Sequence, residues 1–153
     1  MAAPRRLPPR AAVRLQPGTG ERLCRASGTA LEVDTKTAGR RLYPFDLVFE
    51  GHGQAAVYKE LVPMLLTEAL GHGRSGALLV CGPPKGGKSH TLLGYGADPG
   101  LIPLTALDVF RAKGRLQVWI SYFEVKGGLF LDRLAPLSED DRLEAERLRP
   151  SDF

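Results

Sequence analysis

The chain opens with short stretches of strand-like pattern and then changes to helical periodicity. Strands are predicted over three stretches, namely 12–15, 30–33 and 42–49. From Gln54 to Leu70 the apolar positions recur every three or four residues, which predicts a helix. Pro63 falls inside this helix, and we expect a kink or break there because proline cannot supply the backbone hydrogen bond.

The second half of the chain alternates in the same way. Ala77–Cys81 is a continuous apolar run, which predicts a buried strand. Helices are expected to start near Gly87 and to cover Pro103–Ala112, and Gln117–Val125 has the composition of another strand. Alternating strands and helices indicate an α/β fold.

One motif in this pattern carries recognisable chemistry. It consists of Gly82, Pro83, Pro84, Lys85, Gly86, Gly87, Lys88 and Ser89, which together read G-x-x-x-x-G-K-S. This is the P-loop pattern, and the apolar run before it and the predicted helix after it are the context that a P-loop requires. The motif predicts a site for the phosphates of a nucleoside triphosphate.

The residue types fit this chemistry. Glycines at 86 and 87 let the backbone approach the phosphates, so that successive N–H groups bind anionic oxygen. Lys88 adds a full charge, and the Ser89 hydroxyl is placed to ligate Mg²⁺. Pro83 and Pro84 lack an N–H group, so we expect fewer backbone contacts than in a typical P-loop.

Composition narrows the class of protein. The 153 residues carry a net charge of +4 and contain no apolar run long enough to span a bilayer. Sparse aromatic residues argue against a specific nucleic-acid surface. Cys24 and Cys81 are expected to be reduced thiols of a cytoplasmic protein. The three histidines form no metal-ligand cluster with the cysteines, and spacing alone places His90 on a helix surface.

Six blocks in a fixed order resemble the kinesin motor domain. In chain order they are Val13–Pro17, Phe45–Phe49, Gln54–Tyr58, Gly87–Gly94, Gly100–Pro103 and Ser121–Val125. They are similar to the family's V-R-V-R-P, F-D-x-V-F, Q-x-x-V-Y, G-K-T-[HYF]-T-M-x-G, G-I-I-P and S-Y-x-E-I. The resemblance covers roughly residues 12–134 and implies a P-loop NTPase-like fold of the kinesin motor type, with a partial central sheet and flanking helices.

The resemblance also implies ligands and roles. Kinesins bind ATP with Mg²⁺, move along microtubules and work in the cytoplasm on the cytoskeleton. Their adenine lies near positions that correspond to Arg14, Pro17 and His90, which reverses the surface interpretation of His90. Gln16 stands where the family has a second arginine. No membrane or specific nucleic-acid partner is expected.

The chain departs from the family after these blocks. The switch motifs N-x-x-S-S-R-S-H and D-L-A-G-S-E do not occur in it, and no convincing acidic strand end replaces them. We therefore expect a disordered basic arm over 1–11, the N-terminal half of a kinesin-like motor domain over 12–134, and a charged tail over 135–153. In kinesins, strands of the second half lie between those of the first, so a truncated chain is expected to leave apolar strand edges unpaired.

Two other classes stay open. One is a non-catalytic interaction or regulatory module that retains a relic P-loop, which the two prolines and the missing switches favour. The other is a small P-loop kinase unrelated to kinesins. Such a kinase needs an acidic strand end and substrate-binding arginines after the P-loop, and neither pattern is present.

Overall fold

A computed structural model describes residues 8–16, 24–35, 37, 39–112, 114, 116–126 and 128–134. Most of the predicted basic arm, Pro17 and the predicted tail over 135–153 lie outside the described residues. The chain divides into two compact units after Leu107, and each is considered by itself.

Two small sheets begin the first unit. Its strands are β1 (Ala12–Leu15), β2 (Cys24–Ser27), β3 (Ala30–Thr35), β4 (Gly39–Pro44) and β5 (Leu47–Glu50). The middle three form an antiparallel sheet in the order β2-β3-β4, while β1 and β5 pair in parallel, with Val13 opposite Val48. Pro44 ends the edge strand β4, where a missing N–H group is tolerated.

The single strand predicted over 42–49 is wrong, because the chain changes sheets in its middle. The N–H of Phe45 donates to the carbonyl of Thr29 at 2.8 Å, which continues the ladder beside β3. One residue later, the N–H of Asp46 donates to the carbonyl of Ala11 at 2.8 Å, which starts the pairing with β1. Phe45 and Asp46 are therefore a corner between two sheets.

The helical segment follows the predicted pattern, including its break. Helix α1 (Gln54–Leu61) ends just before Pro63, which occupies the first turn of α2 (Pro63–Leu66). Proline is tolerated at that position because the first N–H groups of a helix have no partner inside it. A π-helical turn, Thr67–Gly71, then closes the segment.

A small apolar core lies under α1. Its buried members are Phe49, Val57, Tyr58, Val62 and Leu101. Val57, Tyr58 and Leu61 share one face of α1, as the apolar spacing predicted, and they meet a strand on one side and the start of a later helix on the other. This core holds β5 and α1 against the segment that follows the P-loop.

The apolar run Ala77–Cys81 does not form the buried strand that its sequence predicted. The structure gives it no regular secondary structure, and Leu79 is 86% exposed. Among the described residues no strand pairs with it, and a strand needs a hydrogen-bonded neighbour as well as apolar side chains. Within the described part of the chain, the run is therefore an unpaired apolar segment.

Helix α3 (Lys88–Leu93) begins at the end of the P-loop, as predicted. A tight hairpin follows, made of β6 (Gly94–Tyr95) and β7 (Asp98–Pro99), and α4 (Leu101–Ala112) starts two residues before its predicted position. The hairpin is closed so tightly that a Cβ atom on Gly94 would lie 2.2 Å from the carbonyl oxygen of Asp98.

The second unit holds one hairpin among its described residues. Of the strand predicted over Gln117–Val125, only the last three residues belong to β8 (Phe123–Lys126), which pairs with β9 (Leu129–Asp132). Phe123 and Phe130 contact each other across the hairpin, with ring centroids 5.8 Å apart. Both rings are more than half exposed, and Trp119 before them is 88% exposed. The mixture of strands and helices with a partial sheet confirms the predicted α/β class.

Candidate functional site

The P-loop residues form a turn between the Ala77–Cys81 segment and α3. Gly87, the residue before the helix, has a φ of 83°, a left-handed conformation that favours glycine. The Lys88 ammonium folds back over the turn and donates to the carbonyls of Gly82, at 3.0 Å, and Pro83, at 2.7 Å. An ammonium group has three donors, so one remains for a further acceptor.

The loop amides divide into two groups. Pro83 and Pro84 have no N–H, and the N–H of Gly86 donates to the carbonyl of Pro83 at 3.1 Å. The structure gives no acceptor among the described residues to five other amides, those of Gly82, Lys85, Gly87, Lys88 and Ser89. The prolines therefore reduce the set of anion-binding amides, as the sequence predicted, but do not remove it.

Arg14 on β1 lies at the centre of a hydrogen-bonded network. Its Nη1 donates to Gln54 Oε1 at 2.7 Å and to Thr91 Oγ1 at 2.9 Å, and its Nη2 donates to the carbonyl of His52 at 3.1 Å. Desolvation by burial lowers the pKa of Arg14, and the nearby negative charge of Asp98 partly opposes this. The guanidinium group thus ties β1, the start of α1 and α3 together.

His90 is half-buried, so its surface interpretation from spacing alone is wrong. Its ring stacks on Tyr95, with centroids 5.5 Å apart and planes inclined by 28°. The Gln54 side-chain amide donates to its backbone carbonyl, and Gln54 Nε2 lies 3.4 Å from His90 Nδ1. The residue thus lies beside the network of Arg14.

A cavity of about 600 Å³ is lined both by P-loop residues and by residues that the family resemblance assigns to the adenine. Its lining includes Arg14, Gly82, Gly87, Lys88 and His90. This volume is in the range of small-molecule sites in proteins, which is about 300–1,000 Å³. Pro17, the third residue predicted to lie near the adenine, is outside the described part of the chain.

The metal prediction rests on Ser89 alone. Its side chain is exposed at the second position of α3, directly after the P-loop lysine. In the described part of the chain, no three His, Cys, Asp or Glu side chains converge as metal ligands. Mg²⁺ usually takes only one or two protein ligands beside phosphate oxygens and waters, so a single hydroxyl fits its donor preference. No helix of the described residues is long and apolar enough to cross a membrane.

Sequence reasoning missed Gln54 as a member of this site. Gln54 is 1% exposed and shares the buried face of α1 with Val57, Tyr58 and Leu61. A polar residue at an apolar position of an amphipathic helix was visible in the sequence, and it indicates a buried hydrogen-bonding group. Tyr95 and Asp98 had no such signal, because only the tight hairpin brings them close to His90 and Arg14.

The sequence of this chain is similar to those of known proteins. The family described as the kinesin motor domain matches residues 19–149. Kinesin-like protein KIF22 of Rattus norvegicus is 35% identical over 108 residues, which cover 64% of this chain and 16% of the relative. Kinesin-like protein KIN-7I of Oryza sativa subsp. japonica is 31% identical over 135 residues, which cover 82% of this chain and 11% of the relative.

The fold has a counterpart among solved structures. A chain described as "KIF14[391-755] - ADP in complex with a microtubule" superposes with a TM-score of 0.68 at 24% identity, over 84% of this chain and 42% of that one. The match confirms the predicted fold of the kinesin motor type. The chain spans less than a fifth of the length of the two curated relatives described above. On the family match and these relatives together, the chain belongs to the kinesin motor-domain family.

Proposed function

We propose that this chain binds ATP with Mg²⁺ in the cavity beside its P-loop, as the nucleotide-binding part of a kinesin-type motor. The observation that carries the proposal is the lining of that cavity. It combines five loop residues suited to phosphate with Arg14 and His90, which the family resemblance assigns to the adenine side. The five are Gly82, Pro83, Gly86, Gly87 and Lys88.

The phosphate side of the cavity offers both dipoles and charge. Five backbone N–H groups of the loop have no acceptor among the described residues, and such groups in a turn bind anionic oxygen. Lys88 holds two loop carbonyls and would exchange at least one of them for a phosphate oxygen. Helix α3 has only six residues, so we assign the phosphate contacts to the loop amides and Lys88 rather than to the helix dipole.

The base side offers a ring and a cation. His90 presents an aromatic surface beside Arg14, and an aromatic ring can stack on a purine. Pro17, which follows β1, is included in this proposal on the family resemblance. Ser89 would contribute its hydroxyl to Mg²⁺, which when bound neutralises negative charge on the phosphates.

The activity of a whole motor is a further part of the proposal. Family membership and the KIF14 structure described as a microtubule complex support microtubule binding and a cytoskeletal location in the cytoplasm. Microtubule-based movement belongs to the proposal only for a whole motor that contains such a nucleotide-binding part, because movement requires hydrolysis. Hydrolysis requires groups that position water against the terminal phosphate, and the switch motifs that do so in the family are missing from this sequence. We therefore propose nucleotide binding without appreciable hydrolysis for this chain.

Binding of a fluorescent ATP analogue with Mg²⁺ tests the proposal directly. Lys88→Ala should weaken binding at least tenfold, since a hydrogen bond to a charged group contributes about 1.5–3 kcal/mol. The matched control is Lys59→Ala, which removes the same charge from the exposed surface of α1 and should bind like the wild type.

Equal binding by the two variants, or no binding by the wild type, would contradict the proposal. A steady-state ATPase assay and co-sedimentation with microtubules, each run with the same three proteins, then test the two finer parts separately. Turnover stimulated by microtubules would contradict the proposed lack of hydrolysis, and failure to co-sediment would contradict microtubule binding.

A second function is supported by the loop itself. Pro83 and Pro84 donate nothing, and the N–H of Gly86 is already satisfied within the turn. A loop whose hydrogen-bonding groups are partly engaged within the turn is expected of a non-catalytic interaction module that keeps a relic P-loop. That alternative predicts that Lys88→Ala changes neither nucleotide binding nor any partner interaction.

A further inference from the structure

Gln54 is the buried polar side chain at the start of α1, and it connects two other elements. It is 1% exposed, its Oε1 accepts from Arg14 on β1, and its Nε2 donates to the backbone carbonyl of His90 on α3. A buried amide with both ends engaged holds its neighbours in fixed positions, because breaking either bond leaves a desolvated polar group.

Arg14 determines which way round this amide lies. A guanidinium group only donates hydrogen bonds, so the atom 2.7 Å from Arg14 Nη1 must be the amide oxygen. The amide nitrogen of Gln54 therefore faces His90. It donates to the His90 carbonyl, and the ring atom Nδ1 of His90 lies 3.4 Å from the same nitrogen.

This orientation has a consequence for the His90 ring. A neutral imidazole carries one proton, and the nitrogen that faces a donor must be the one with the lone pair. Nδ1 faces the Gln54 amide nitrogen, so the proton lies on Nε2. Tyr95 covers one face of the ring, which leaves the other face and the Nε2–H edge for a ligand.

We propose that Gln54 is a positioning residue for base recognition: with its amide oriented by Arg14, it holds His90 as the Nε2–H tautomer, with the ring backed by Tyr95, and so contributes to binding of the base but not of the phosphates. This inference rests on the proposed nucleotide binding. It adds a residue that contacts neither the loop nor the phosphates and acts only through His90.

Gln54→Glu is the most informative variant. A carboxylate has almost the same size and still accepts from Arg14, but it places an acceptor opposite Nδ1 and the His90 carbonyl. The proton should then move to Nδ1. Gln117→Glu is the matched control, because it makes the same chemical change at an exposed position of the second unit.

The first measurement is the ¹⁵N spectrum of the imidazoles in nucleotide-free protein, with the His90 signals assigned by their loss in His90→Asn. We expect the Nε2–H tautomer in the wild type and in Gln117→Glu, and a protonated Nδ1 in Gln54→Glu. A wild type with its proton on Nδ1 would overturn the inference, as would an unchanged tautomer in Gln54→Glu. The wild-type spectrum decides this even where the variant does not fold.

The second measurement compares the affinity for MgATP with that for Mg-tripolyphosphate, which lacks the base and sugar. Gln54→Glu should weaken ATP binding by about tenfold, the order of one hydrogen bond to a charged or polar ligand group, and tripolyphosphate binding by less than about twofold.

Equal losses for both ligands would mean a general structural role and overturn the inference. A wild type that binds tripolyphosphate no more weakly than ATP would overturn base recognition while leaving phosphate binding intact. A wild type that binds neither would overturn the proposed function and base recognition together, leaving the tautomer assignment to the spectrum.

Discussion

Phe49 and Leu79 are both large apolar residues in strand-like stretches, yet Phe49 is 4% exposed and Leu79 is 86% exposed. Phe49 lies on β5, which pairs with β1 along four residues and is covered by α1. Leu79 lies in Ala77–Cys81, beside which no described strand is paired. Apolar composition therefore yields a buried strand only where a neighbouring strand satisfies the backbone and a helix covers the side chains.

The same contrast separates the site from the rest of the molecule. Arg14, Gln54 and His90 are held by hydrogen bonds between β1, α1 and α3, and α1 also packs against Phe49 in the core. The exposed apolar residues of the second unit, by comparison, surround one hairpin. We expect the stability of the first unit to depend on a few buried residues and to be insensitive to the exposed ones.

The largest effect should come from Phe49→Ala. Removing a buried phenylalanine costs about 3–5 kcal/mol, a large fraction of the stability of a small domain. Leu79→Ala, the matched change in the exposed segment, should alter the free energy of unfolding by less than about 0.5 kcal/mol. Chemical denaturation followed by circular dichroism measures both. A large loss on changing Leu79 would mean that Ala77–Cys81 is buried after all, and the contrast would be broken.

A smaller effect is expected at the β6–β7 hairpin. Gly94 and Gly96 both have positive φ values, 76° and 54°, but only Gly94 is crowded. An alanine at Gly96 costs about 1–2 kcal/mol for its positive φ. Gly94, with φ 76° and ψ −173°, has a backbone conformation that is essentially restricted to glycine, and an alanine there costs about 1–3 kcal/mol for the backbone. Gly94→Ala should cost an additional 1–3 kcal/mol or so, because the new methyl group would meet the carbonyl of Asp98.

Thermal unfolding of the two alanine variants measures this difference. The difference between the two variants measures the combined cost of the glycine-specific backbone at Gly94 and of the close packing of the hairpin. Equal melting temperatures would indicate that the hairpin opens at little cost and that Tyr95 is not held against His90.

The smallest effect concerns Trp119, the single tryptophan, which is 88% exposed. Its fluorescence should show the emission of an indole in water and should be quenched efficiently by iodide. Because it belongs to the second unit, Phe49→Ala should leave this emission nearly unchanged while the circular dichroism signal is lost. Blue-shifted, protected emission would show that this segment is covered.

The sequence allowed local features to be predicted well. The bounds of β1, the break at Pro63 and the helix start at Lys88 follow from spacing, from the missing proline N–H and from the P-loop pattern. These features depend on neighbouring residues in the chain, so a pattern can report them.

Features that depend on distant partners were not predictable in this way. The corner at Phe45 and Asp46 exists because two different sheets compete for adjacent amides, and no local pattern encodes that competition. Ala77–Cys81 has the composition of a buried strand, but composition does not say whether a neighbour is present to pair with it. The position of Tyr95 depends on the tight closure of a two-residue hairpin. The P-loop was therefore predictable. Gln54 carried the signal of a buried polar group, but no local pattern identified its hydrogen-bond partners on β1 and α3.

The unpaired segment that precedes the P-loop ends in Cys81, whose thiol is exposed and lines the cavity, whereas Cys24 on β2 is half-buried. These are the only two cysteines in the chain. The alkylation rate of Cys81 therefore reports on the cavity, and the rate of Cys24 in the same sample serves as the internal reference. A ligand in the cavity, or a strand added beside Ala77–Cys81, would slow modification at Cys81 while Cys24 continues at its own pace.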